Sequence, residues 1–160
     1  MQNVKLICVG KLKERFYADA VKEYSKRMSA LCRLEIDELA EEQLPQSPSQ
    51  SEIDAALAKE AAAVKAKIPK GAAVIAMCIE GKSMDSGELA DYMCRCAVSG
   101  ESKLCFIIGG SYGLDRSVKD MAQLKLSMSK MTFPHHLARV MLLEQIYRGF
   151  KIAEGGKYHK

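Results

Sequence analysis

The chain lacks the features that most quickly assign a protein to a class. None of its apolar runs reaches the ~18 to 20 consecutive residues needed to span a bilayer. The opening Met1-Gln2-Asn3-Val4-Lys5-Leu6-Ile7 carries no signal-peptide pattern. A cytoplasmic protein without a membrane partner is therefore expected. There are no paired C-x-x-C clusters among the six cysteines, so a zinc ribbon or thioredoxin-type site is not indicated. Cys8, Cys78 and Cys105 each lie inside an apolar run, where the thiol acts as a small hydrophobe. Cys94 and Cys96, two apart on a helical pattern, point to different sides and make a poor metal pair. Free structural thiols and no metal are expected.

Two phosphate-binding signatures are also missing. Gly113 is followed by Leu114-Asp115 instead of Lys-Ser/Thr, so the segment after Gly109 is not a Walker loop. Gly110 and Gly113 have no preceding G-x-G, which removes the dinucleotide fingerprint. A kinase, an ATPase or a Rossmann dehydrogenase is disfavoured.

The chain does contain apolar strand patterns alternating with helical ones. Strands are expected at Val4–Val9, Arg33–Leu39, Ala72–Ile79, Leu104–Ile108 and Leu124–Met128. Helices are expected at Glu14–Ala30, from a Ser51-Glu52-Ile53-Asp54 cap to about Lys67, at Asp85–Val98 and at Asp115–Met121. Pro134 opens a last helix running to about Ile152. Glu41–Ser49, rich in Glu, Gln, Pro and Ser, reads as a mobile loop. Buried strands alternating with helices imply a single α/β domain over residues 1–160. Its sheet should be mostly parallel with helices on both faces. Ligands of such sheets bind at the carboxyl ends of the strands, where Gly109-Gly110 and the loop after Ile79 fall.

The 24 Lys+Arg against 20 Asp+Glu leave a net charge of +4. The whole excess lies in residues 130–160, which hold Lys130, Arg139, Arg148, Lys151, Lys157 and Lys160 against Glu144 and Glu154. Such a stretch is either a patch for a phosphate-bearing partner or a solvated basic tail. The last helix carries Leu137, Val140, Met141, Leu142, Leu143, Ile146, Tyr147 and Phe150 on more than one face. Either the chain encloses it or a second subunit shares it; a homodimer is the favoured expectation. His135-His136 is read as capping or packing. Gly155-Gly156 is expected to leave Tyr158 and His159 mobile, a stacking ring beside a titratable group. A bulky residue at Gly109 is expected to block the pocket and leave the fold intact.

Phe106–Gly113, Leu126–His135, Glu144–Arg148, the terminal Tyr158-His159 and Lys5–Leu12 together resemble the ribosomal RNA large subunit methyltransferase H family, within the SPOUT superfamily of α/β-knot methyltransferases. The resemblance covers essentially the whole chain. It implies a trefoil knot near the C-terminus and S-adenosyl-L-methionine as methyl donor. It also implies methylation of N3 of pseudouridine 1915 in helix 69 of 23S rRNA, in the assembled 70S ribosome, with no DNA partner. Motif matching places the cofactor at Met77, Gly109, Met128, Ser129, Lys130, Met131, Thr132 and Phe133. Arg148, Tyr158 and His159 become the candidate catalytic residues: an anion-stabilising guanidinium, a ring that orients the base and a proton acceptor. An i, i+4 salt bridge to Glu144 is the alternative role of Arg148.

Overall fold

The computed structural model describes residues 1–158. Five strands and five helices alternate: β1 (Gln2–Val9), α1 (Arg15–Met28), β2 (Cys32–Leu39), α2 (Gln50–Lys67), β3 (Ala73–Ser83), α3 (Ser86–Val98), β4 (Lys103–Ile108), α4 (Arg116–Met121), β5 (Leu124–Ser127) and α5 (His135–Ala153). All strand pairs are parallel, in the order β2-β1-β4-β3-β5. Alternation along the central strands divides their side chains between two cores. Val4, Leu6 and Cys8 of β1 join Leu104, Phe106 and Ile108 of β4 under α1, α3 and α5. Ile7, Val9, Cys105 and Ile107 face α2 and the Leu114–Val118 segment. Each fully buried Leu, Ile or Phe contributes about 1.5–3 kcal/mol. This three-layer arrangement is the one expected from the sequence.

Local differences have identifiable causes. Helix α2 is capped by Ser49, not Ser51: Ser49 accepts from Glu52 N–H, and the Glu52 side chain returns to Ser49 N–H. The capping box therefore lies two residues earlier, because Glu52 supplies the reciprocal acceptor that the box requires. Asp115 and Pro134 precede α4 and α5 as N-caps. The segment after Glu41 is irregular, yet its start is tied down. Glu41 accepts from Ser111 N–H (2.7 Å), and Glu42 N–H donates to Glu60 (2.9 Å).

Two features position the site. Strand β3 extends beyond the expected Ile79, and Leu126 of β5 pairs with both Met77 and Lys82. Between those contacts, Cys78–Gly81 leaves the ladder and passes round β5. Gly81 lies against the Lys125–Leu126 main chain, where an added Cβ would come within 2.7 Å. Helix α5 packs between α1 and α3 with Leu142, Leu143 and Ile146 fully buried. Enclosure within one chain thus accounts for much of its apolar circumference. Leu137, Val140 and Met141 stay half-buried, outside both cores.

Candidate functional site

A cavity of about 400 Å³ opens at the carboxyl ends of β3, β4 and β5. That volume lies within the ~300–1,000 Å³ usual for small-molecule sites. Met77, Ile108 and Leu126 enter it from the strands. Met128, Ser129, Met131, Thr132 and Phe133 enter from the loop before α5, and His135 and Ala138 from the first turn of α5. Gly109–Gly113 and the Cys78–Glu80 excursion complete its wall. Of the expected cofactor positions, all but Lys130 line this space. Lys130 is exposed because the loop turns there: Ser127 Oγ donates to Ser129 O and Met131 N–H donates to Ser129 Oγ, each at 3.0 Å.

The glycines of the wall serve the main chain. A Cβ on Gly109 would come 2.4 Å from Gly113 backbone atoms, and Gly113 itself has φ +79°. Gly113 N–H donates to Gly110 O at 3.0 Å, closing the turn. A Cβ on Gly110 would meet the Glu41 carboxylate at 2.6 Å. The expectation that a larger residue at Gly109 blocks the pocket and spares the fold is therefore corrected: it collides first with the protein.

The rim is charged but neutralised. Glu80 pairs with Lys119, and that hydrogen bond holds the Glu80 carboxyl below its ordinary range. His135 lines the cavity, and burial pushes its imidazole towards the neutral form. One turn on, Arg139 is 1% exposed, although the sequence counts it among the basic excess. It donates to Glu38 and to Gly10 O (2.9 Å), tying the first turns of α5 to the ends of β1 and β2. Burial works against the charge of Glu38, but hydrogen bonds from Arg139 and Leu12 N–H outweigh it and hold the carboxyl low. Arginine placed inside the apolar run Leu137–Leu143 is the signal that could have revealed this clamp.

Three of the six basic residues of the C-terminal stretch are thus engaged within the chain. Arg139 is buried, Arg148 pairs with Glu144, and Lys151 pairs with Glu154. Arg148 donates through Nε (3.0 Å) and Nη2 (2.7 Å) to one Glu144 oxygen. The tail is also placed differently from expectation. Gly155 has φ +69°, its N–H bonds to Ile152 O, and Gly156 N–H bonds to Lys151 O, both at 2.9 Å. Those bonds form a Schellman turn. Instead of loosening the tail, the two glycines fold it back over α5. Tyr158 OH then donates to Glu144 (3.1 Å), its ring lies 4.6 Å from Arg148 Cζ and 5.0 Å from the Tyr147 ring. Arg148 and Tyr158 therefore come together, whereas His159 lies outside the described residues. Neither lines the cavity; Arg148 is ten residues beyond Ala138, roughly 15 Å along the helix.

A family model described as "Predicted SPOUT methyltransferase" matches residues 2–159. Proteins named ribosomal RNA large subunit methyltransferase H are similar over the full length. The one from Clostridium beijerinckii is 48% identical over 158 residues, covering 99% of each chain. The one from Bacillus pumilus is 46% identical with the same coverage. Among solved structures, a probable methyltransferase from Bordetella pertussis shares the fold, with a TM-score of 0.57 and 13% identity, covering 93% of this chain and 96% of that one. The chain is a methyltransferase of the SPOUT family and belongs, within it, to the ribosomal RNA large subunit methyltransferase H group. Among the described residues, no helix is long and apolar enough to cross a membrane.

Proposed function

We propose that this protein binds S-adenosyl-L-methionine in the β3–β4–β5 cavity and methylates N3 of a pseudouridine, position 1915 in helix 69 of 23S rRNA. The observation that carries this reading is the cavity itself. Strand ends and two separate loops converge on it, and it is lined by Met77, Gly109, Met128, Ser129, Met131, Thr132 and Phe133. Its thioether and aliphatic walls suit an adenosine ring, and the tight Gly109–Gly113 turn presents main chain to polar groups. When bound, the cofactor supplies a methyl group made electrophilic by its sulfonium.

The chain's own residues then orient the base and manage an imide proton. Arg148 stabilises negative charge developing on the carbonyls flanking N3, Tyr158 orients the ring, and His159 accepts the proton. Neither Arg148 nor Tyr158 lines the cavity of its own chain, which favours a homodimer in which a second copy presents its α5 end to this cavity. Leu137, Val140 and Met141 supply apolar surface for that contact. Three of the six C-terminal cations are paired within the chain, which lowers the free charge available for gripping naked RNA. This supports the assembled 70S ribosome as substrate, with pseudouridylation preceding methylation.

Labelled methyl transfer to 70S ribosomes, 50S subunits and naked rRNA at matched salt tests the reading, with the product mapped by mass spectrometry. Transfer to the pseudouridine in 70S ribosomes is expected. Equal rates on naked rRNA would overturn the ribosome assignment. Absence of cofactor binding by calorimetry would overturn the site. A wild-type monomer at micromolar concentration in analytical ultracentrifugation would overturn the dimer.

A further inference from the structure

The sequence presents the Glu144–Arg148 salt bridge as an alternative to a substrate role for Arg148. The geometry makes the two compatible. The Glu144 carboxylate accepts from Arg148 Nε and Nη2 and from Tyr158 OH, so one side chain holds both groups assigned above to the target base. Both donors of Arg148 go to the same oxygen, and among the described residues its Nη1 makes no hydrogen bond. The guanidinium is therefore fixed in direction while keeping donors for a carbonyl. Tyr158 remains 37% exposed, with Arg148 near one face of its ring and Tyr147 at its edge. The Schellman turn brings the tail to this point without using either side chain.

We propose that Glu144 is a positioning residue for the methyl transfer, its carboxylate presenting Arg148 and Tyr158 to the RNA base as one preassembled unit. This inference rests on the function proposed above. A free arginine and a free tail would each have to be ordered when the RNA arrives. Holding them beforehand removes that ordering cost from the substrate complex. Exchange of the carboxylate for its amide removes the negative charge that holds the guanidinium and leaves one acceptor oxygen where Arg148 and the phenol now share two, the phenol donating to both at 3.1 and 3.2 Å.

The test compares wild type, Glu144→Gln, Arg148→Ala, Tyr158→Phe and the Glu144→Gln/Tyr158→Phe double variant. S-adenosylmethionine affinity by calorimetry, unfolding midpoint, amide exchange across residues 153–158 and methyl transfer to 70S ribosomes are measured. For Glu144→Gln, cofactor affinity within about twofold of wild type and an almost unchanged midpoint are expected. Tail exchange should rise, and kcat/KM on ribosomes should fall at least about tenfold. The double variant should be no slower than the slower single variant, because both remove one unit. Unchanged or increased ribosome methylation in Glu144→Gln, or effects that simply multiply, would overturn the proposal. If wild type is active and Arg148→Ala and Tyr158→Phe are impaired but Glu144→Gln is not, only this inference fails. If wild type neither binds the cofactor nor methylates ribosomes, the proposed function itself fails.

Discussion

The cavity and the end of α5 are organised by different parts of the chain. Around the cavity, Gly81 and Gly109 lie so close to neighbouring main chain that a Cβ would come within 2.7 and 2.4 Å of it. At the end of α5, position is set by side chains: a carboxylate, a guanidinium and a phenol within hydrogen-bonding distance. Main-chain contacts of the first kind tolerate almost no added atom. Side-chain contacts of the second kind can be lost one by one while the fold survives. Substitutions around the cavity should therefore be read out mainly as stability, and those at the α5 end mainly as turnover.

Gly109→Ala offers the sharpest way to break this contrast. Its Cβ meets the backbone of Gly113, which has no flexible end to yield. A loss of about 3 kcal/mol or more is expected, roughly 10 °C in thermal unfolding midpoint. A wild-type midpoint with loss of cofactor binding alone would restore the simpler view of an open pocket.

The Arg139 clamp comes next. Arg139→Met leaves Gly10 O and Glu38 without their buried donor and should cost about 2–3 kcal/mol in denaturant unfolding. The pH dependence follows from Glu38, whose carboxyl is held below its ordinary value in the folded protein. Its contribution is present above the unfolded value near 4.5 and is lost as pH falls through the lower folded value. The stability gap between wild type and Glu38→Gln should therefore close on acidification. A constant gap would show that charge is not what the clamp uses.

Gly155→Ala tests the tail. A left-handed residue with φ +69° should cost about 1 kcal/mol when it gains a Cβ. The midpoint should move by only a few degrees, while amide exchange at Gly155 and Gly156 speeds up. A slow-exchanging tail in this variant would show that side chains alone hold Tyr158.

The smallest effect lies behind the cavity, at Glu60. Burial, followed by the nearby Glu41 and Glu42 charges, raises its carboxyl pKa despite the Glu42 N–H hydrogen bond. A raised folded value means stability fully present below the unfolded value and lost as pH rises through the folded one. Glu60→Gln should accordingly be slightly more stable than wild type at pH 7, by less than about 1 kcal/mol, with no advantage near pH 4. Chemical denaturation at the two pH values measures it.

Hydrophobic period and helix signals made the sheet, its two covered faces and the position of the cavity legible in the chain. Ile75, Phe106 and Ile107 declare themselves as core, and Gly109 and Phe133 as walls of one site, without coordinates. What the sequence hid depends on long-range placement. Arg139 looks like any helix cation until Glu38, far away in the chain, is seen to meet it. The second pairing of Leu126 with Lys82 has no local signature, because it arises only when β3 bends round β5. Gly155-Gly156 reads equally well as a hinge or as a helix stop. The deciding contacts, Gly156 N–H to Lys151 O and Tyr158 to Glu144, belong to the folded chain.

The bend of β3 round β5 also sets an order of events. Cys78–Glu80 forms one wall of the cavity, and its closing contact, Gly81 on Lys125–Leu126, joins segments more than forty residues apart. That wall cannot settle before β5 has arrived, and β5 comes late along the chain. Closing so long a loop is paid for in chain entropy before any contact returns it. Secondary structure and the shorter-range β1–β2 and β3–β4 pairings should thus appear first in refolding and ligand-binding capacity last. A nascent or partly folded chain would then carry a methyltransferase sheet with no place to hold a methyl donor.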